Sequence, residues 1–160
     1  GGVLIVKFVT SGTSGEGGKE ATASTILSAI GISAPPEDLL RSLDARATYG
    51  IQSTASLSGF FRLRSRAYPE TFAGMLLWEP EMAESLIPFL RPDIKKSDIT
   101  LLREREFKDE RVLETNARVL SDLGGASLLA YAFPDQKTLI IAGGREELRM
   151  LIKKFHAEAE

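Results

Sequence analysis

The sequence predicts an α+β fold, an antiparallel sheet with helices packed on one face. Three stretches predict it. Residues 127–155 read as two apolar strands, a turn and an amphipathic helix; residues 47–78 run through the same strand-strand-helix order; and residues 103–121 supply alternating segments between them. The two strand-strand-helix units are candidate repeats within one continuous sheet, and a split ferredoxin-like arrangement is the alternative. A single domain over residues 1–160 is expected, with residues 10–18 as a flexible loop.

Taken in order, VLIVKFV at residues 3–9 has the β-branched content of a strand. The Gly/Ser-rich residues 10–18 have too little apolar surface to hold themselves rigid. Ile26, Leu27 and Ile30 share one face of a short helix ended by Gly31, and Pro35-Pro36 opens a second one carrying Leu39, Leu40 and Leu43. Two strands follow at 47–53 and 59–65. A helix at 69–78 then places Phe72, Met75 and Leu76 on one side, and Pro80 predicts a kink or a restart with Met82, Leu86 and Leu90 inward. Pro88 and Pro92 close that segment. Residues 93–102 read as a connection, residues 103–107 and 111–121 as strands with a turn near Lys108-Asp109, and Gly124-Gly125 as the next turn. In the last unit, Leu128, Leu129, Tyr131 and Phe133 mark a strand, Pro134-Asp135 a turn, and residues 138–142 a buried strand. Leu148, Leu151, Ile152 and Phe155 then recur at helical spacing. Tyr68-Pro69-Glu70 stands where Gly144-Arg145-Glu146 stands, and Phe72 where Leu148 does.

The chain has 160 residues, 43% hydrophobic and 26% charged, enough for one well-filled core. Its formal net charge of -2 offers no global basic field, which disfavours nucleic acid as a partner and leaves anion binding to a local patch. Without cysteine there is no thiol nucleophile, disulfide or thiolate metal site. No run approaches a membrane span of roughly 20 apolar residues. The start Gly1-Gly2, without methionine, is what a chain trimmed of an upstream signal or anchor would show.

No catalytic constellation emerges. The loop SGTSGEGGK between strand and helix has the order of a phosphate-binding loop, but Thr13 stands where its first glycine belongs and Glu20 where its magnesium-binding hydroxyl belongs. His156 is the single histidine, and Glu79, Glu81 and Glu84 read as surface charges around Pro80. Trp78, Phe72, Met75 and Tyr68 have the helical spacing of a core. Arg103-Glu104-Arg105-Glu106 reads as a solvated edge strand. No catalytic residue, metal ligand or cofactor is assigned.

The best surface candidate is the row Arg62, Arg64 and Arg66, which period-two spacing places on one side of a strand. Guanidinium groups donate paired hydrogen bonds to planar anions, so the row is a candidate anion-binding site; the competing reading pairs it across strands with Glu104 and Glu106. Phe60 falls on the same side and is a candidate partner surface.

At FAGMLLWEPEMAESLIPFL and LLAYAFPDQKTLIIAGGREELRMLI the chain resembles the extracytoplasmic α+β portions of uncharacterised bacterial proteins tethered by one N-terminal membrane helix. The likeness spans roughly residues 30–155 and carries no functional residues. It implies an extracytoplasmic, membrane-anchored location, with any membrane contact through a segment outside these residues. The expectation is a non-catalytic binding or scaffolding domain of the bacterial cell envelope, whose partner is another envelope protein or an anionic polymer. The alternatives are a hydrolase-type enzyme with an unrecognised acidic site and an anionic-polymer or nucleic-acid binding module.

Overall fold

The structure, a computed structural model, describes residues 3–6, 35–53 and 56–159. The expected loop at 10–18 and helix at 20–30 lie outside them. In chain order the elements are β1 (Val3–Val6), α1 (Glu37–Ser42), β2 (Leu43–Ser53), β3 (Leu57–Ser65), α2 (Tyr68–Leu90), α3 (Lys96–Thr100), a 3-10 turn (Leu101–Glu104), β4 (Lys108–Val112), β5 (Thr115–Ser121), β6 (Ser127–Asp135), β7 (Thr138–Ala142) and α4 (Arg145–Ala159). The described strands form one antiparallel sheet in the order β1-β2-β3-β7-β6-β5-β4, so the α+β class holds.

Strand alternation sorts the apolar residues into two cores. Phe61, Leu63, Leu129, Tyr131, Leu139 and Ile141 point to one side, where Met75, Trp78, Met82, Leu86, Ile87 and Leu90 of α2 cover them. Phe60, Ala117, Val119, Ala130, Ala132, Ile140 and Ala142 point to the other, where Leu148, Leu151 and Ile152 of α4 cover them. The helices therefore divide between the two faces instead of sharing one. The reason is legible in β6 and β7, whose residues are apolar on both sides of the pleat, as strands buried on both faces are.

That division also decides the question of repeats. The order strand-strand-helix recurs, with β3 and β7 adjacent and antiparallel at the centre. Passing from β2-β3-α2 to β6-β7-α4 exchanges the side of the sheet, the strand direction and the covered face together. Three such reversals amount to an inversion, which no rotation reproduces. The two units have opposite hands and are not copies.

Three local expectations are corrected. There is no restart at Pro80: the helix is continuous from Tyr68 to Leu90 through Pro80 and Pro88, and the burial of Met82, Ala83, Leu86, Ile87 and Leu90 offsets the missing backbone donors. Residues 103–107 are not a strand: Arg103 and Glu104 close the 3-10 turn, and the hairpin is β4–β5 with Leu113-Glu114 at its tip. Both tip residues have positive φ, 47° and 61°, in the type I′ geometry usually marked by Asn-Gly, which is why composition did not flag the turn. Lastly, Pro134 and Asp135 stay within β6, and the turn falls at Gln136-Lys137, where the Asp135 carboxylate accepts the Lys137 N–H at 2.8 Å.

Candidate functional site

On the α2 face the helix does not reach across β5 and β4, and a groove of about 620 Å³ remains there. Tyr68 and Phe72, from the first turns of α2, form one wall with Phe133 of β6. Their rings make a cluster: Tyr68 meets Phe133 edge-on at 5.0 Å between centroids, and Phe72 lies 6.0 Å from each of the other two. All three are half-buried, unlike Met75 and Trp78, which are sealed in the core. The expected core helix face thus splits, with its first turn facing the groove. Trp78 is core as expected, although its indole N–H has no hydrogen-bond partner among the described residues.

The groove floor is held by Arg118. Its Nε and Nη2 donate to the two carboxylate oxygens of Glu79 at 2.8 and 2.7 Å, and its Nη1 donates to Asp109 at 3.1 Å. The buried Tyr131 hydroxyl donates to the same Glu79 carboxylate at 2.7 Å. Burial first, then the neighbouring Glu79 carboxylate, pushes the Tyr131 phenol above its ordinary range, so it remains a donor. The fork of the guanidinium matches the carboxylate, which fixes the plane of Arg118 and ties the middle of α2 to β5 and β6. Arg118 is thereby neutralised from behind. The side chains of Asp109 and Glu114 at the mouth are 89% and 90% exposed, and Arg111 pairs with Glu114 at 2.7 Å. With Glu79 counted, three carboxylates, Glu79, Asp109 and Glu114, meet the two guanidiniums of Arg111 and Arg118, leaving the mouth slightly acidic; Glu110 turns instead to Arg145 on the far face.

Glu79 is therefore not the surface charge expected from its neighbours; Glu84, on the outside of the helix, pairs with Arg103. A signal for Glu79 did exist. Arg118 stands between Ala117 and the pair Val119-Leu120, all three apolar and buried, and an arginine so placed requires an acid beside it.

The sequence-predicted residues lie elsewhere. Arg62 and Arg64 share the α4 side of β3, and Arg66 falls beyond the strand. Arg62 donates to Glu158 at 3.0 Å and lies over the Phe155 ring at 5.2 Å. Arg64 is 4.0 Å from Asp44, and Arg66 donates to the Arg41 carbonyl at 3.0 Å. They are paired separately, with Glu158 and Asp44 in the roles expected of Glu104 and Glu106. Phe60 is 3% exposed beneath α4, so it is core and not a partner surface. The chain matches no family model, no curated protein and no solved structure.

Proposed function

We propose that this chain is a non-catalytic binding or scaffolding domain whose groove takes an extended segment of a partner protein. The observation that carries the reading is the half-buried trio Tyr68, Phe72 and Phe133 beside a floor whose charges are already paired. Clustered aromatic rings that are rigidly backed and partly open are what anchor a partner's apolar or aromatic side chain. The exposed Asp109 and Glu114 favour a lysine or arginine next to that anchor. The Glu79 carboxylate accepts from both Arg118 and Tyr131, an arrangement that builds rigidity and holds no base or nucleophile free to react, which supports binding over hydrolysis.

The test is binding to an array of peptides that combine one aromatic residue with one lysine at varied spacing. Phe72→Ser and Phe133→Ala should each abolish the peptides retained by the wild type, while Arg62→Ala, Arg64→Ala and Arg66→Ala together leave them unchanged. Retention of heparin or polyphosphate that disappears in the triple variant would move the site to β3 and sink this reading. The envelope location is a separate proposal resting on the resemblance above; fractionation of cells carrying the native gene, with the chain found in the cytosol, would overturn it.

A further inference from the structure

We infer that β4 is a self-pairing edge through which two copies of this chain join their sheets into one. The inference does not rest on the groove reading, although Asp109 and Glu114 belong to both. β4 ends the sheet, and Lys108, Asp109 and Arg111 are exposed along it, so among the described residues no strand pairs with that edge. The two-residue tip Leu113-Glu114 makes Val112 and Thr115 the hydrogen-bonded pair that closes the hairpin. Alternation then turns the backbone groups of Glu110 toward β5 and those of Asp109 and Arg111 outward. An added antiparallel strand must pair outward-facing residues with outward-facing residues.

A second copy satisfies that rule with a two-fold axis at Glu110. Asp109 then lies directly opposite Arg111 of the second copy, and Arg111 opposite its Asp109, with side chains on the groove face. The strand is self-complementary in charge: the sequence Asp-Glu-Arg read against itself puts opposite signs together at both outward positions. The like charges that meet on the axis, the two Glu110 side chains, are each already held by Arg145 through two hydrogen bonds of 2.5 and 2.8 Å, so they meet as neutral pairs. On the groove face, Asp109 keeps its bond to Arg118, giving an alternating row Arg118, Asp109, Arg111 of the second copy, Glu114 of the second copy. Leu113 is the third observation. It is 38% exposed and sits at φ 47°, a conformation unfavourable for leucine, at the position that falls opposite Phe107, just before β4, in the second copy. A charged edge ordinarily discourages pairing, but only against strands whose charges do not complement it.

Sedimentation velocity over about micromolar to millimolar protein tests this, the range expected for a small interface. Wild type should form dimers that stop at two, because a closed two-fold uses the edge up. D109R and R111D place like charges opposite each other, and each should weaken dimerisation about tenfold or more. An equimolar mixture of the two single variants should form a heterodimer, and the double variant D109R/R111D should dimerise again. Wild type that stays monomeric throughout, single variants that dimerise like wild type, or a mixture that fails to associate would each overturn the register. Circular dichroism of the variants separates lost pairing from lost folding, since both side chains are exposed.

Discussion

The two faces of the sheet are built from the same strands yet solve different problems. On the α4 side the strands present four alanines, Ala117, Ala130, Ala132 and Ala142, among Phe60, Val119 and Ile140, and the helix lays Leu148, Leu151 and Ile152 onto them. On the α2 side they present Phe61, Tyr131, Leu129 and Leu139, and the longer helix stands over larger side chains with a carboxylate-guanidinium clamp at its middle. A face rich in alanine admits close approach of the helix, with the exposed Arg62 and Arg64 at its margin. A face of large residues leaves its margin uncovered, and the polar atoms that enter there must be paired. The groove exists because α2 stops short of a strand pair that the clamp holds in place.

The largest test of that difference is Glu79→Ala. It leaves the Arg118 guanidinium and the Tyr131 hydroxyl without their shared acceptor, and should cost about 3 kcal/mol in urea unfolding. A loss near zero would mean that the clamp is not what holds β5 to α2. On the opposite face the corresponding weak point is volume. Ala130, wholly buried between Val119 and Ala142, admits no larger side chain, so Ala130→Leu should displace α4 and cost about 2 kcal/mol by overpacking. The smallest effect belongs to the more exposed pair Arg145–Glu110. The Arg145 hydrogen bonds hold the Glu110 carboxyl below its ordinary value, against the upward pull of burial. A depressed folded-state value contributes stability that is fully present above the ordinary carboxylate value of ~4.3 and is lost as pH falls through the folded value. Glu110→Gln should therefore cost below about 1 kcal/mol near neutrality and flatten the acid side of the stability profile. An unchanged acid slope would place the acid-sensitive carboxylates elsewhere, with Asp93, held down by Arg91, next in line.

Much of the fold was legible because periodicity is local. The strand-strand-helix order of residues 127–155 held, with its turn two residues later than expected, and the strands expected at 47–53 and 59–65 became β2 and β3 with starts four and two residues earlier. The β4–β5 tip was missed because Leu113-Glu114 carries no turn residue, and the 3-10 turn at Leu101–Glu104 because alternating charges also fit a strand. The arginine row was read correctly as sharing a side for Arg62 and Arg64. Its partners were not, because Glu158 is 96 residues from Arg62 and no pattern within β3 points to it.

The candidate groove was hidden for the same reason. Tyr68, Phe72 and Phe133 come from two elements, and Glu79, Arg118 and Tyr131 from three. By itself the sequence determined the class of the fold, the apolar faces of its strands and the absence of thiol chemistry, all of which follow from composition or from spacing along the chain. Only the tertiary structure decided which face each helix covers, that Phe60 is sealed while Tyr68 is half-open, and that Glu79 is a buried acceptor. Those outcomes depend on which side of a shared sheet a distant segment settles, a choice made by packing between elements and written in no single one of them.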